Sequence, residues 1–215
     1  MSTTIYIVRH GETFMNRFNR MQGWIDADLT TKGRQQAVQT GQELHAVHFD
    51  SLYSSDLNRA VNTRDLIAQQ FDHPVARVVA DRVFREVFFG YFEGLDSDET
   101  WRQVGASKHL TTQTAIMQEY DFRTSRQLMH ELDPEHLAET YDQVIHRWQR
   151  GIQTIYRQNQ PNSRVLLVTH GTFIRTLADF KGINTLDNYP KNGSVSKIVV
   201  TDAGFDFSQY NGEPL

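Results

Sequence analysis

Residues 5–13 read IYIVRHGET, and residues 165–173 read VLLVTHGTF. Each stretch is a short run of aliphatic and β-branched residues that stops abruptly at a His-Gly pair. Continuous apolar runs of this kind are typical of strands that are covered on both faces, and a glycine permits a tight exit from such a strand. The pattern predicts two buried strands, with His10 and His170 each placed where a strand ends and a loop begins.

Helical patterns alternate with strand patterns in the rest of the chain. Helices are expected over residues 31–44, 56–71 and 138–158, and strands over 49–54, 75–80 and 194–202. This alternation predicts an α/β fold, a three-layer α/β/α sandwich with a mostly parallel sheet. The alternating polarity of residues 194–202 predicts a late edge strand. Ligands bind to such sheets beyond the carboxyl ends of the strands, where the two histidines are expected side by side.

Length and composition indicate one domain. The chain has 215 residues, 39% of them hydrophobic and 22% charged, which is enough apolar material for a normal core. We expect a single domain over residues 1–215. Residues 91–137 have weaker periodicity and are rich in Thr, Gln and Glu, so we expect them to form an inserted lid over the end of the sheet.

Charge, cysteine content and hydropathy exclude several classes of protein. A net charge of -4 gives no general attraction to nucleic acid or to an anionic membrane. The chain has no cysteine, so it has no disulfide and no thiolate ligand. The first residues turn polar too soon for a signal peptide, and no apolar run approaches the ~18 residues of a membrane span. We expect a soluble cytoplasmic protein without nucleic-acid or membrane partners, and its oligomeric state, monomer or homodimer, is open.

The residues that can carry chemistry begin at the end of the first strand. Arg9 offers a rigid fork of hydrogen-bond donors that suits a phosphate. The neutral imidazole of His10 is a competent nucleophile, and Gly11 allows a ligand to approach the backbone closely. The sequence has no HExxH motif and no glycine-rich nucleotide-binding loop, so we expect no metal site and no cofactor.

Several motifs in a fixed order give the chain a family resemblance. RHGET at residues 9–13 is followed by LTTKGRQQA at 29–37, SSDLNRAVNT at 54–63, REVFFGYFEG at 85–94 and VTHGT at 168–172. In these motifs the chain resembles the histidine phosphatase superfamily, in particular its phosphoglycerate mutase-like branch. The resemblance extends over nearly the whole chain.

The resemblance implies a role for each matching position. His10 would accept the phosphoryl group, Glu86 would protonate the leaving oxygen and then activate water, and His170 would complete the catalytic pocket. The positions that would bind phosphate are Arg9, His10, Arg59, His170 and Asn16, and those that would border the substrate are Gln22 and Gly23.

The acid has competitors within the sequence. Glu12, Glu93 and Asp96 are alternatives to Glu86, and Glu93 is the nearest of them. The matching motif favours Glu86 because it places the acid four residues before Gly90.

Three functions fit these residues. The first is a phosphatase that hydrolyses small phosphomonoesters through a phosphohistidine, and the second is a mutase that returns the phosphoryl group to its substrate. The third is a non-catalytic phosphate-binding module, which the presence of nucleophile, arginines and acid disfavours. Residues 94–109 carry three acids and few cations where the mutases have a basic segment, which favours the phosphatase. The sequence leaves open whether Arg85, Arg102 and Lys108 face the site, and it does not identify the small phosphorylated substrate.

Overall fold

A seven-stranded sheet forms the centre of the computed structural model, which describes residues 2–214. The strands are β1 (Ser2–Arg9), β2 (Ser51–Ser54), β3 (Arg77–Ala80), β4 (Arg164–Thr169), β5 (Val195–Thr201), β6 (Gly204–Tyr210) and β7 (Glu213–Pro214). They lie in the order β3-β2-β4-β1-β5-β6-β7. The first four are parallel, and β6 runs in their direction because β1 and β6 both pair antiparallel with β5. Five of the seven strands thus share one direction, which confirms the mostly parallel sheet.

Helices follow most of the strands. They are α1 (Phe14–Arg17), α2 (Thr31–Leu44), α3 (Asn58–Ala68), α4 (Ser97–Gly105), α5 (Gln113–Glu119), α6 (Phe122–Leu132), α7 (Tyr141–Gln158) and α8 (Gly171–Phe180). Thr140 and Gln143 form a capping box at the start of α7, so this helix begins later than the expected residue 138. Within the part of the chain that the structure describes, no helix combines the length and apolarity needed to cross a membrane.

The apolar side chains of the central strands divide between the two faces of the sheet. On one face, strands β1 and β4 pack against α7 and α8 through Ile5, Ile7, Val165, Leu167, Trp148 and Leu177. On the other face, the central strands pack against α2 and α3 through Val8, Leu52, Leu166, Val168, Ala37 and Ala60. Helices therefore cover both faces, which confirms the three-layer α/β/α arrangement and explains the continuous apolar runs.

The expectation of an edge strand over residues 194–202 is wrong. Strand β5 lies between β1 and β6 and pairs with both. Gly204, whose φ of 129° lies in the region that favours glycine, allows the tight turn that brings β6 back along β5. The alternation in β5 reports one less buried face, and an inner antiparallel strand has that pattern as readily as an edge strand.

The predicted lid, residues 91–137, contains α4, α5 and α6. Helices α4 and α5 both pack against α6. The side chains of Ile116, Phe122 and Met129 are buried in this part of the chain. Its helices are therefore anchored by apolar contacts, and three side chains of α4 and α5, those of Ser97, Trp101 and Gln113, line the site described next.

Candidate active site

The two His-Gly pairs meet at the carboxyl ends of β1 and β4. The register pairs Arg9 with Thr169, and the backbone N–H of His10 donates to the carbonyl of Thr169 at 2.9 Å. The rings of His10 and His170 lie 5.1 Å apart between centroids, at an angle of 62°. Both side chains are buried. Two neighbouring parallel strands that end in the same motif thus place their imidazoles side by side.

The tautomer of His10 follows from its ring hydrogen bond. Nδ1 lies 2.8 Å from the carbonyl oxygen of Gly11, which can only accept, so Nδ1 carries the proton and Nε2 keeps its lone pair. Burial, and then the charges of Arg59 and Arg9, hold the pKa of His10 well below its ordinary value of 6.5. The ring is therefore neutral at neutral pH, which is the state in which an imidazole nitrogen is nucleophilic.

The loop after His10 has no room for a side chain at Gly11. A Cβ atom there would lie 2.2 Å from the carbonyl oxygen of Gly33, and a Cβ atom at Gly33 would lie 2.0 Å from the carbonyl oxygen of Glu12. The N–H of Gly11 donates to Thr63 Oγ1 at 3.1 Å. Helix α2, which carries Gly33, thus packs backbone against backbone on the nucleophile loop and fixes its path.

Arg59, on α3, is a buried cation beside the two histidines. Its charge is the largest influence after burial that lowers the pKa values of both. The guanidinium donates to the carbonyl of Gly23 at 2.6 Å and to Asp26 Oδ1 at 3.0 Å, while Nε is buried and has no hydrogen-bond partner in the described part of the chain. A buried charge with a single carboxylate partner maintains a positive potential around the histidines.

Arg9 is held by the loop between α8 and β5. Its guanidinium donates to the carbonyl of Pro190 at 2.7 Å and lies 5.0 Å from the centroid of the Tyr189 ring. The Tyr189 hydroxyl is 3.0 Å from Thr172 Oγ1. The Nε atom of Arg9 is buried and has no hydrogen-bond partner among residues 2–214, so the guanidinium is fixed in place with one donor unused there.

Glu86 lies against the first turn of α8. Its carboxylate accepts from the backbone N–H groups of Thr172 at 3.0 Å, Phe173 at 2.7 Å and Val87 at 2.9 Å. Burial raises the pKa of Glu86, although the N–H groups of Val87 and Thr172 and the charge of Arg59 oppose that rise. A buried carboxyl with a raised pKa is suited to donate a proton near neutral pH.

Arg147, on α7, fixes the loop that carries Glu86. It donates to the backbone carbonyls of Val83 at 3.0 Å, Arg85 at 2.6 Å and Glu86 at 3.1 Å. Its Nε and Nη2 atoms donate to the Glu139 carboxylate at 2.9 and 2.6 Å. One guanidinium thus satisfies three carbonyls in succession and sets the path of the acid loop.

The competing acids have other partners. Glu93 accepts from the backbone N–H groups of Trp24 and Phe89, each at 3.0 Å, and from those of Gly23 and Ile25, each at 3.1 Å. It therefore joins the loop at residues 23–25 to the loop after Glu86. Glu12 pairs with the side chains of Thr30, Arg17 and Lys32, and Asp96 caps α4.

Arg85, before the predicted lid, and the lid residues Arg102 and Lys108 have partners away from the site. Arg85 donates to both carboxylate oxygens of Asp56, at 2.7 and 2.6 Å, and Arg102 pairs with Glu99. Lys108 lies over the ring of a nearby tyrosine. Two of the three acids of residues 94–109 are thus engaged within the lid, since Asp96 caps α4 and Glu99 pairs with Arg102.

Asn16 and Gln22 form an amide network with Asn192. The side-chain amide of Asn192 donates to the His10 carbonyl at 2.9 Å and to Asn16 Oδ1 at 3.2 Å. Gln22 Oε1 accepts from Thr13 Oγ1 at 2.6 Å and from Asn16 Nδ2 at 3.4 Å. Gln22 Nε2 is buried without a hydrogen-bond partner among the residues that the structure describes, so the network offers one amide donor that none of them uses.

These groups surround a cavity of about 350 Å³. The lining residues fall into groups that we name by their place in the chain. We call floor the residues from the motifs at His10 and Glu86, from Thr172 and from the loop before β5: Arg9, His10, Asn16, Gln22, Glu86, Thr172, Tyr189 and Asn192. We call mouth the residues from positions 19–20 and from the predicted lid: Asn19, Arg20, Ser97, Trp101 and Gln113. Met21 and Phe89 add apolar side chains to the lining. Three expected site residues do not line the cavity: Arg59 and His170 are buried beside His10, and Gly23 contributes backbone contacts to Arg59 and Glu93. Within residues 2–214, no three His, Cys, Asp or Glu side chains are grouped as a metal site would require.

Comparison with known proteins shows the family of the chain. The model of the histidine phosphatase superfamily (branch 1) matches residues 5–213. The chain belongs to the histidine phosphatase superfamily. Members of this superfamily are phosphatases or mutases that act on small phosphorylated substrates.

Solved structures of histidine phosphatases and mutases share the whole fold. The crystal structure of phosphoglycerate mutase from Bacillus anthracis str. Sterne is similar with a TM-score of 0.89 and 29% identity, over 99% of this chain and 93% of that one. YhfR of Bacillus stearothermophilus is similar with a TM-score of 0.77 and 30% identity, over 99% and 98% of the two chains. A mycobacterial glucosyl-3-phosphoglycerate phosphatase in complex with VO3 has the same fold, with a TM-score of 0.73 and 24% identity over 98% and 99%.

Some residues around the cavity of this histidine phosphatase superfamily member escaped sequence reasoning. Tyr189 and Asn192 lie in the loop before β5 and reach the site because β5 starts at the edge where β1 ends. The polar run between Gly182 and Gly193 indicates a loop, but it does not indicate that this loop reaches the site. Thr172 stands within the VTHGT motif, where its role in holding the acid could have been sought.

Proposed function

We propose that this superfamily member is a phosphatase that hydrolyses small phosphomonoesters through a phosphohistidine on His10. The observation that carries the proposal is the presence, in one cavity, of a neutral imidazole with a free Nε2 and of a carboxyl group, Glu86, whose pKa is raised by burial. The first group is a nucleophile and the second is a proton donor, which are the two groups that a phosphomonoester needs to lose its alcohol.

In the first step, Nε2 of His10 attacks the phosphorus atom and the bond from phosphorus to the ester oxygen breaks. The proton of Glu86 passes to the leaving oxygen, which departs as an alcohol. Arg9 Nε and Gln22 Nε2 are buried donors without partners among the described residues, so they are suited to the equatorial oxygens on which charge accumulates. Arg59 supports the same charge from beside His10 and has one unused donor, its Nε.

In the second step, water replaces the alcohol next to Glu86. The carboxylate takes a proton from this water, the oxygen attacks phosphorus, and the bond between phosphorus and His10 Nε2 breaks. Inorganic phosphate leaves, and Glu86 is protonated again. His170, whose pKa is held well below its ordinary value by burial, Arg59 and His10, remains neutral beside the nucleophile and adds no positive charge that would tie up its lone pair.

The mouth of the cavity favours water as the final acceptor. Asn19 and Arg20 are exposed, so water reaches the cavity from this side. Arg20 is the only Lys or Arg among the mouth residues of the described chain. A mutase that acts on a doubly phosphorylated intermediate needs several cations around the second phosphate, because each phosphate carries up to two charges.

A mutase is the second candidate. The similarity that favours it is the match, at 29% identity and a TM-score of 0.89, to the Bacillus anthracis phosphoglycerate mutase. The two activities share the phosphohistidine and differ in the fate of the phosphoryl group.

Phosphate release and isomerisation measured on one preparation distinguish the candidates. The purified protein and its His10→Ala variant are incubated with a panel of phosphomonoesters, and the interconversion of 2- and 3-phosphoglycerate is followed in parallel. We expect His10-dependent phosphate release that exceeds any interconversion. Faster interconversion than release would favour the mutase, and no His10-dependent turnover of any ester would favour a non-catalytic binding module.

A further inference from the structure

The turn between β6 and β7 carries an Asn-Gly pair. Residues 210–213 read YNGE, and Asn211 and Gly212 lie between the paired residues Tyr210 and Glu213. Both turn residues have a positive φ, of 51° and 91°. A two-residue turn of this kind needs left-handed backbone at both positions, and an Asn-Gly pair adopts it readily. The turn thus explains the backbone of Asn211, but it requires nothing of the side chain.

The side chain of Asn211 is buried although it belongs to a hairpin turn, since the residue is only 8% exposed. Its Oδ1 atom accepts from the backbone N–H of Lys191 at 2.9 Å. Its Nδ2 atom donates to the backbone carbonyl of Tyr189 at 3.2 Å and to Asn188 Oδ1 at 2.5 Å. The amide therefore uses both of its donor hydrogens and one acceptor position on the loop at residues 188–191.

One of these hydrogen bonds acts on the peptide group that holds Arg9. The carbonyl of Pro190 and the N–H of Lys191 belong to one planar peptide group. Its N–H end donates to Asn211, and its carbonyl end accepts from Arg9 Nη1 at 2.7 Å. Among residues 2–214, this is the only hydrogen bond of the Arg9 guanidinium. Because the group is rigid, a rotation that freed its N–H from Asn211 would also turn its carbonyl away from Arg9.

The preceding peptide group is fixed by the same side chain. Its carbonyl, that of Tyr189, accepts from Asn211 Nδ2. Pro190 has no N–H to donate, and its ring restricts φ, so this stretch of backbone has little freedom left. The ring of Tyr189 also faces the guanidinium of Arg9, with 5.0 Å from Cζ to the ring centroid. Asn211 thus orients both groups of the loop that contact the Arg9 side chain.

The turn itself is anchored to the strand that adjoins β1. The N–H of Asn211 donates to Ser196 Oγ at 3.0 Å, and the N–H of Gly212 donates to the carbonyl of Val195 at 2.8 Å. Ser196 and Val195 lie on β5, which pairs with β1, the strand that ends at Arg9. The turn and Arg9 are therefore fixed to the same part of the sheet, and the loop at residues 188–191 is held between them.

We propose that Asn211 is a positioning residue for Arg9, whose guanidinium it holds at the cavity by fixing the Pro190–Lys191 peptide group. Asn211 does not line the cavity, so it acts through the loop and not on the ligand. The proposal rests on the proposed function in one respect, since it takes Arg9 to bind the phosphoryl group. Without the amide, the guanidinium must be ordered again each time a phosphate binds, which weakens binding.

A double-mutant cycle tests whether Asn211 acts through Arg9. The affinity for inorganic phosphate is measured by calorimetry for the wild type, Asn211→Gly, Arg9→Ala and the variant with both changes. Glycine accepts the left-handed backbone of the turn, so Asn211→Gly removes the amide and keeps the hairpin. We expect Asn211→Gly to bind phosphate about tenfold more weakly than the wild type. Added to Arg9→Ala, the same change should cause no further weakening.

Asn162→Gly is the matched control. Asn162 is exposed in the turn before β4 and has a φ of 65°, so the same replacement is made at a left-handed position away from the cavity. It should leave phosphate binding unchanged. Equal weakening by Asn211→Gly with and without Arg9 would indicate a general loss of structure and would overturn the proposal. Phosphate binding that Asn211→Gly does not alter would overturn it as well.

A measurement without ligand separates this proposal from the proposed function. The Nε–H of Arg9 is buried, so it should give a slowly exchanging signal in a proton–nitrogen NMR correlation spectrum, assigned by its loss in Arg9→Ala. We expect its exchange with water to be about tenfold faster in Asn211→Gly and unchanged in Asn162→Gly. Faster exchange would support the positioning role even if no ester were hydrolysed. Unchanged exchange in Asn211→Gly would overturn that role even if the protein were an active phosphatase.

Discussion

Replacing Glu86 by Gln should remove the proton donor while keeping most of its contacts. In the wild type, Oε1 accepts from the N–H groups of Val87 and Phe173, and Oε2 accepts from that of Thr172 at 3.0 Å. The carbonyl oxygen of a glutamine can keep the first two bonds, but its NH2 group would then face the N–H of Thr172. Losing this bond inside the protein costs about 1–3 kcal/mol, which lowers Tm by about 2–12 °C in a chain of this size.

The catalytic effect should depend on the leaving group. For an alkyl ester such as glycerol 3-phosphate, loss of the general acid should lower kcat by about 10²–10⁴. 4-Nitrophenolate leaves without protonation, so the phosphorylation of His10 by 4-nitrophenyl phosphate should be slowed far less. Hydrolysis of the phosphohistidine also needs Glu86, so Glu86→Gln should release a burst of nitrophenolate close to one equivalent and accumulate phosphoenzyme. Quenched-flow kinetics and intact-protein mass spectrometry measure both.

Glu93→Gln is the matched control for this experiment. The Glu93 carboxylate holds backbone N–H groups of two loops and does not line the cavity. Its replacement should lower stability and slow the alkyl and nitrophenyl esters by a similar factor. Equal slowing of both esters by Glu86→Gln, or a leaving-group dependence found in Glu93→Gln instead, would refute the assignment of the acid.

Other predictions concern the nucleophile and its supports. The pKa of His10 is depressed below 6.5 in the fold, so the acid limb of kcat/KM should lie below pH 6.5, which an activity profile measures. The contribution of His10 to the free energy of unfolding should be complete above pH 6.5 and should fall as the pH drops below that value, which urea titrations at pH 7 and pH 5 measure. An acid limb at or above pH 6.5 would contradict this. Arg147→Met leaves the Glu139 carboxylate unpaired and should lower the free energy of unfolding by about 3–5 kcal/mol, measured in urea, whereas the double variant with Glu139→Gln should recover part of the loss. Gly11→Ala places a Cβ atom 2.2 Å from the Gly33 carbonyl oxygen and should lower kcat sharply in an ester assay, while an alanine variant with normal kcat would show that the loop can yield.

The features that the sequence predicts best are those that depend on covered strands. The runs that end at His10 and His170 are apolar on both faces because helices cover both faces of the sheet, and their shared His-Gly ending places the imidazoles at one edge. Local pattern and tertiary position coincide here, since neighbouring parallel strands end at the same edge. The position of Arg9 at the cavity follows from the end of β1, and that of Glu86 was expected from the order of the motifs.

The features that the sequence misses depend on where loops return. The alternation in residues 194–202 could not show that β6 would pair with the outer edge of β5. An inner antiparallel strand with one solvent-exposed face has the same pattern as an edge strand. The sequence shows that Asp96 and Glu99 are acids, but only the structure shows that Asp96 caps α4 and that Glu99 pairs with Arg102. The net charge of a segment therefore does not give the charge at a site, because side-chain pairing determines which charges face the site.

The backbone pairing of residues 19–21 with residues 94–97 has a consequence for redesign. The floor of the cavity lies at the ends of β1 and β4. The mouth is formed by two segments that are distant in the chain but joined by backbone hydrogen bonds. A graft that exchanged only the helices after residue 94 for those of another enzyme would break these hydrogen bonds and displace Arg20. The smallest transplantable unit is both segments together, and moving them as one should alter which alcohol is accepted while the phosphoryl chemistry beneath stays intact.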